Sequence, residues 1–230
     1  MPHHEVIRRN RETTKVRIVF DASSKASGCV SLNEAIHSGP SLNTDVLELL
    51  LCFCTYPVAL IADVENAFLQ IVLDKHDRDC LRFFSSTATS YVKRPLPPAP
   101  LGTWQMAHVA VGARSNPFLS AATLRHHLHS AVDSPPETAP LLASNFYVGD
   151  LVVGVETVLQ ATSLYCEAKA ILQEGAMKLV KWSSTDSALQ PMFEADRVVP
   201  LTSAAMKKVL GLAWDTDSDE VRYALKWSRQ

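Results

Sequence analysis

The chain lacks a CxxC pair, an excess of basic charge, and any apolar run long and unbroken enough to cross a bilayer. Its five cysteines, Cys29, Cys52, Cys54, Cys80 and Cys166, leave one unpaired under any disulfide scheme. That excludes a fully oxidised scaffold and predicts reduced, mostly buried thiols in an intracellular, cytoplasmic protein. Cys52-Phe-Cys54 lies in an apolar run and reads as core rather than as a soft-metal site. Residues 1–10 are polar and carry no apolar h-region, so no secretory signal is visible. The longest apolar stretch, residues 46–64, is broken by Glu48 and Pro57, and no membrane partner is expected. The formal net charge of −2 gives no global support to a nucleic-acid partner, although a local basic stripe is compatible with a neutral total.

What is present suffices for one large domain or two small ones, since 230 residues can bury a sizeable core. Residues 15–20 alternate charged and β-branched positions before the turn-rich Asp21-Ala-Ser-Ser24, which predicts a strand and a loop. Residues 42–54 read as a helix, with Asp45 and Glu48 at capping-box spacing and Leu47, Leu50, Leu51 and Cys54 on one face. Val58-Ala-Leu-Ile-Ala-Asp-Val64 is a short, nearly continuous apolar run of the kind found in a strand covered on both faces. Residues 85–102 contain four prolines and no periodicity, and read as loop. Asn116-Pro117 predicts a helix start, with asparagine as the cap. Residues 146–154 read as two strands around a turn at Gly149-Asp150. Thr157 and Gln160 open a further helix that Gly175 closes. Residues 177–182, 209–214 and 221–225 read as strands, with a turn at Asp217-Ser-Asp219. From residue 58 to 182 the order is strand, helix, strand, strand, helix, strand. It predicts an α+β fold with a ferredoxin-like (β-α-β-β-α-β) antiparallel sheet.

That arrangement sets the end of the Asp63 strand beside the turn that carries Asp150. Two converging carboxylates are what Mg²⁺ requires, because it takes hard oxygen ligands, and an ion pair can serve both oxygens of a phosphoryl transfer. The alternative from the residues alone is that both aspartates end strands and shape turns. His126, His127 and His129 cluster on one helix without obvious Cys or carboxylate partners, and read as a solvated helix end rather than a Zn²⁺ site.

Asp63-Val-Glu-Asn-Ala-Phe68, with Leu-Gln-Ile71 after it, resembles the first palm motif of reverse transcriptases, and Phe146-Tyr-Val-Gly-Asp150-Leu resembles their Tyr-x-Asp-Asp box. The fuller string of ordered motifs resembles the Pao/BEL group of LTR retrotransposons. It includes Pro2-His-His, Arg17-Ile-Val-Phe-Asp-Ala-Ser23, Ser31-Leu-Asn33, Gly39-Pro40 and Asp77-Arg-Asp79. Further on come Ser115-Asn-Pro-Phe118, Lys181-Trp182 and Val209-Leu-Gly-Leu-Ala-Trp214. The likeness fails over residues 85–103. It implies a right-hand polymerase with partial fingers in residues 1–57, palm in 58–74, a fingers or loop insertion in 75–104, palm again in 105–215, and a C-terminal hairpin strand in 216–230. Thumb, RNase H, protease and integrase would then lie outside the chain.

The resemblance also implies roles. Asp63 and Asp150 would hold Mg²⁺ or Mn²⁺, and Lys181 would protonate the pyrophosphate leaving group, or else be a surface charge beside Trp182. Phe68 would exclude a 2′-hydroxyl from the incoming nucleotide, or else be a core phenylalanine. Arg17 would reach the triphosphate, for which a planar guanidinium suits phosphate oxygens, or else belong to a solvated strand face. Gly112 would sit in the loop supporting template and nucleotide, although Val111 and Arg114 beside it depart from the family pattern. Leu210 and Gly211 would belong to the strand gripping the primer. The implied partners are an RNA or DNA template-primer and a dNTP.

One departure matters most. The box reads Tyr147-Val-Gly149-Asp150, so the first aspartate of the family's pair is a glycine without a ligand. The expectation is a folded domain with defective polymerase chemistry. The competing expectations are an active enzyme rescued by Glu65 or Asp74, and a non-enzymatic RNA- or protein-binding module. An RNA-recognition sheet would need exposed aromatics, and only Phe146 and Tyr147 hint at that.

Overall fold

A computed structural model describes residues 1–7, 16–86, 101–131, 135–196 and 206–223. In chain order the first elements are β1 (His3–Ile7), β2 (Val16–Phe20), α1 (Leu32–Ala35), α2 (Val46–Thr55) and β3 (Val58–Val64). There follow β4 (Arg82–Ser86), β5 (Leu101–Gln105), α3 (Asn116–Ser130), α4 (Thr138–Asn145), β6 (Phe146–Tyr147) and β7 (Asp150–Val155). The last are α5 (Val158–Glu174), β8 (Leu179–Ser184), α6 (Gln190–Ala195), β9 (Met206–Val209), β10 (Leu212–Asp215) and β11 (Glu220–Arg222). Helices and antiparallel sheets together make an α+β protein. Among the described residues no helix is long and apolar enough to cross a membrane.

The chain divides into two compact units. One comprises Met1–Pro40 and Phe68–Leu119. It contains the antiparallel pairs β1–β2 and β4–β5, and Phe20 packs edge-on against Phe83, with ring centroids 5.1 Å apart. Its loop around Gly112 is clamped by Asn33, whose side chain donates to the Gly112 carbonyl (3.2 Å) and accepts from the Arg114 N–H (2.9 Å). The neighbouring Ser31 and Glu34 form the capping box of α1.

The other unit comprises Ser41–Ala67 and Ser120–Gln230. Its four-stranded antiparallel sheet has the order β6-β7-β3-β8. Successive residues of a strand face opposite sides, and β3 is apolar on both. Val58, Leu60, Ala62 and Val64 join Leu151 and Val153 of β7 in a core with Leu124 of α3, Leu142 of α4, and Leu164, Ala168 and Leu172 of α5. Ala59, Ile61 and Val152 face the other way, onto Phe53 of α2 and Trp214 of β10, whose rings meet edge to face at 5.0 Å. Two covered faces explain why β3 reads as an almost unbroken apolar run. The opening and closing of α5 follow the sequence: Thr157 and Gln160 form a capping box, and Gly175 is the C-cap.

Several expectations are corrected. Helix α2 buries Leu49 and Phe53, while Leu47 and Leu51 are exposed. With almost every position from 46 to 54 apolar, periodicity alone did not select a face, and the contact of Phe53 with Trp214 does. All five cysteines are exposed rather than buried; Cys52 and Cys54 flank Phe53 and turn outward when it turns in. The Asn116 side chain does not cap α3 but donates to the Ala110 carbonyl (2.7 Å), and the Ser115 carbonyl accepts the Leu119 N–H one turn in. A second helix, α4, follows α3 in the connection read as one helix. The ends of the segment read as loop, 85–86 and 101–102, are paired in β4 and β5, and residues 87–100 lie outside the described residues. Residues 209–214 form not one strand but the end of β9, a turn at Leu210-Gly211 and the start of β10. Both turn residues have positive φ (45° and 93°), the pattern of a two-residue hairpin loop. Of the strand read over 221–225, β11 covers the beginning, and 224–225 lie outside the described residues.

Gly112 adopts φ +124°, and a Cβ there would stand 2.1 Å from the Phe20 carbonyl oxygen. Gly112→Ala is therefore expected to lower stability by about 3 kcal/mol, from backbone strain together with that collision, read as a lower urea midpoint. An unchanged midpoint would contradict the close approach.

Candidate active site

The β3–β7 register sets Asp63 directly opposite Asp150. The Val64 N–H donates to the Gly149 carbonyl (2.8 Å), so the hydrogen-bonded positions flank the two aspartates. Asp63 and Asp150 thus form a non-hydrogen-bonded pair, the kind in which facing side chains approach most closely. They lie on the face that carries Ala59, Ile61 and Val152, one step beyond the part that Phe53 and Trp214 cover. Two like charges held opposite each other oppose folding unless something offsets them.

The offset comes from β8. Lys181 makes an ion pair with Asp63 through its ammonium. Both side chains are only about a third exposed, 32% and 34%. The placement depends on an irregularity: Ile61 pairs with Ser183, but Asp63 pairs with Val180, so Ala62 alone faces both Lys181 and Trp182. That is a β-bulge, and its extra residue, Lys181, has φ +59°. Strict alternation from Val180 would send Lys181 to the opposite face. The left-handed backbone re-aims it toward Asp63, and Trp182 enters the helix-covered core instead.

The hairpin carrying Asp150 turns one residue earlier than the sequence suggests. Tyr147 pairs with Asp150, leaving Val148 and Gly149 as the loop. Val148, not the glycine, takes the left-handed conformation, at φ 57°. Its N–H donates to Asn43 Oδ1 (3.2 Å) and its carbonyl accepts from Ser120 Oγ (3.4 Å), which hold a strained residue in place. A Cβ added at Gly149 would lie 3.2 Å from the Ala67 Cβ and 4.0 Å from Asp63 Oδ1. The position therefore faces Asp63, and an acidic residue there fits after a shift of a few tenths of an ångström. Asn43, Ser120 and Ala67 carried no sequence signal, because their roles are contacts with the turn rather than chemistry.

Of the residues singled out by sequence, Asp63, Asp150 and Lys181 come together. Leu210 and Gly211 belong to the same unit, at the tip of the β9–β10 hairpin, where Leu210 packs against the core around Trp214. Arg17, Phe68 and Gly112 belong to the other unit: Arg17 is exposed on β2, Phe68 is half-buried in a short 3-10 turn, and Gly112 lies in the loop clamped by Asn33. Glu65 follows the end of β3, and its N–H donates to the Lys178 carbonyl (2.8 Å). Asp74 accepts from His76 (2.9 Å). Among the described residues no three His, Cys, Asp or Glu side chains gather as metal ligands. Two carboxylates, one already paired with an ammonium, do not fit a centre for two divalent ions.

No protein-family model and no curated protein matches the sequence. Among solved structures, the chain is similar to a foamy viral protease-reverse transcriptase in complex with double-stranded DNA, with a TM-score of 0.57 and 14% identity over 94% of this chain. The fold is reverse-transcriptase-like. The chain spans 29% of that structure's length.

Asp150 is exposed at the start of β7, yet partial desolvation of its carboxyl and the facing Asp63 carboxylate raise it above its ordinary value, and Lys181 opposes the rise. A raised folded-state value means that the folded chain binds the proton more tightly than the unfolded one. The stabilisation is complete below the ordinary carboxylate range and is lost as pH rises through the raised value. In metal-free buffer, Asp150→Asn is expected to shrink the loss of stability between pH 4 and pH 7, read by urea unfolding. Superimposable pH profiles for the native chain and the variant would contradict this.

Proposed function

We propose that the chain is a reverse-transcriptase-like domain of Pao/BEL retrotransposon type that engages template-primer but is defective in nucleotidyl transfer. The observation that carries this reading is the direct opposition of Asp63 and Asp150, with the side-chain-less Gly149 facing the same carboxylate. The strand order β6-β7-β3-β8, with helices between β3 and β6 and between β7 and β8, supports a ferredoxin-like palm. On this reading residues 58–74 and 105–215 are palm, and residues 1–57 and 75–104 are fingers or insertion. Arg17, Phe68 and Gly112 would serve the nucleotide, and the Leu210-Gly211 hairpin tip would serve the primer.

In a competent relative of this type Mg²⁺ or Mn²⁺ would supply the electrostatic stabilisation of the transferred phosphoryl group. Here the side chains offer two negative charges, less one for Lys181, and the loss of the third carboxylate removes a ligand that no described residue replaces. Asp74 is engaged by His76, and Glu65 lies beyond the strand end, so neither has a supporting observation as a substitute.

Primer extension with Mg²⁺ or Mn²⁺ tests the defect. The native chain should extend at least about a hundredfold more slowly than Gly149→Asp, several kcal/mol of transition-state stabilisation. Both should bind template-primer with an affinity that falls as salt rises. Clear extension by the native chain would refute the defect, and salt-independent or absent binding would refute the nucleic-acid reading.

A further inference from the structure

Two aspartates in a non-hydrogen-bonded pair repel across the sheet. In a site that takes divalent ions, the ions supply the counter-charge. Here Gly149 removes one ligand, and among the described residues no third metal-capable side chain joins the pair. Among the described residues, the cation paired with Asp63 is the Lys181 ammonium, delivered by a left-handed residue at a bulge. A lysine in that conformation is strained, and the strain persists because the flanking residues fix it: Val180 pairs with Asp63, and Trp182 is buried against Tyr165 and Phe193.

From this geometry we propose that Lys181 is a tethered counter-cation, a covalently attached replacement for the divalent ion, which makes the Asp63–Asp150 pair self-sufficient in the absence of metal. Formal charges make the same point. Two carboxylates and one ammonium leave a site charge of −1, a weak attractor for a divalent ion. Removing the ammonium leaves −2 and two oxygen ligands. An ion entering the native site has to displace Lys181 from a bulge that holds it there. The inference rests on the reverse-transcriptase-like reading only for why a carboxylate is missing.

The experiment is thermal unfolding of the full chain in EDTA and in Mn²⁺, with Mn²⁺ binding followed by electron paramagnetic resonance. No nucleic acid is included, so failure of the template-primer reading and failure of this proposal are separable. The native chain and Lys181→Arg should melt alike in both buffers. Lys181→Met should melt lower in EDTA, recover in Mn²⁺, and bind Mn²⁺ at least about tenfold more tightly than the native chain, as binding to the folded state requires. Asp63→Asn combined with Lys181→Met should lose the Mn²⁺ response. An Mn²⁺ response of the native chain that Asp63→Asn abolishes would overturn the proposal, as would a folded Lys181→Met indifferent to Mn²⁺. Should Lys181→Met not fold, the native chain and Lys181→Arg decide it: indifference of both to metal supports the tether, and an Asp63-dependent response of either overturns it.

Discussion

The antiparallel register of β3 and β7 is the constraint on which the rest depends. It is held from both sides, by Leu60, Leu151 and Val153 against the helices and by Ile61 and Val152 against Phe53 and Trp214. A slip of one residue would exchange those two faces and bury Asp63 among α3, α4 and α5. With the apolar residues fixed, the aspartates are fixed as well, opposite each other at the end of the covered surface. The acid pair is thus a consequence of core packing rather than of any attraction between the two groups. Their mutual repulsion is borne by that packing and relieved by Lys181.

The elements legible in the sequence were those whose signals are local and unambiguous. β3 announced itself as an apolar run with one acid near its end, and α5 by its capping box and terminal glycine. The Asp63–Asp150 opposition followed from the order of elements, because a strand, helix and hairpin order leaves few ways to arrange the sheet. Less legible were features that only tertiary contact decides. In α2 an almost wholly apolar segment offered several possible faces. Around Val148 a β-branched residue took the left-handed position that composition assigns to glycine. At Lys181 the bulge broke the alternation that a sequence reader must assume.

Motifs noted only as matters of resemblance acquire physical reasons. Ser31 and Asn33 are neighbours in sequence with distinct tasks: Ser31 caps α1, and Asn33 clamps the loop whose Gly112 abuts the Phe20 carbonyl. The Leu-Gly pair near the C-terminus, read as mid-strand, is a hairpin tip because two successive positive φ values turn the chain there. Trp214, at the end of the same motif, is fully buried against Phe53, and its indole N–H donates to Asp219 (3.0 Å). These residues have structural tasks within their own units, and the likeness to a reverse transcriptase extends over 94% of the chain at 14% identity. Position 149, where an acid would serve the proposed chemistry, keeps its hairpin with a glycine.

The most direct measurement is a cross-strand disulfide between positions 63 and 150, with the five native cysteines replaced by serine. A non-hydrogen-bonded pair brings Cα atoms to about 4.5 Å, within the span that a disulfide bridges. Asp63→Cys with Asp150→Cys should close under mild oxidation, while Ala62→Cys with Asp150→Cys, whose side chains face opposite sides of the sheet, should stay reduced. Closure of the second pair and not the first would place the aspartates on different faces, and the account of the site would be wrong.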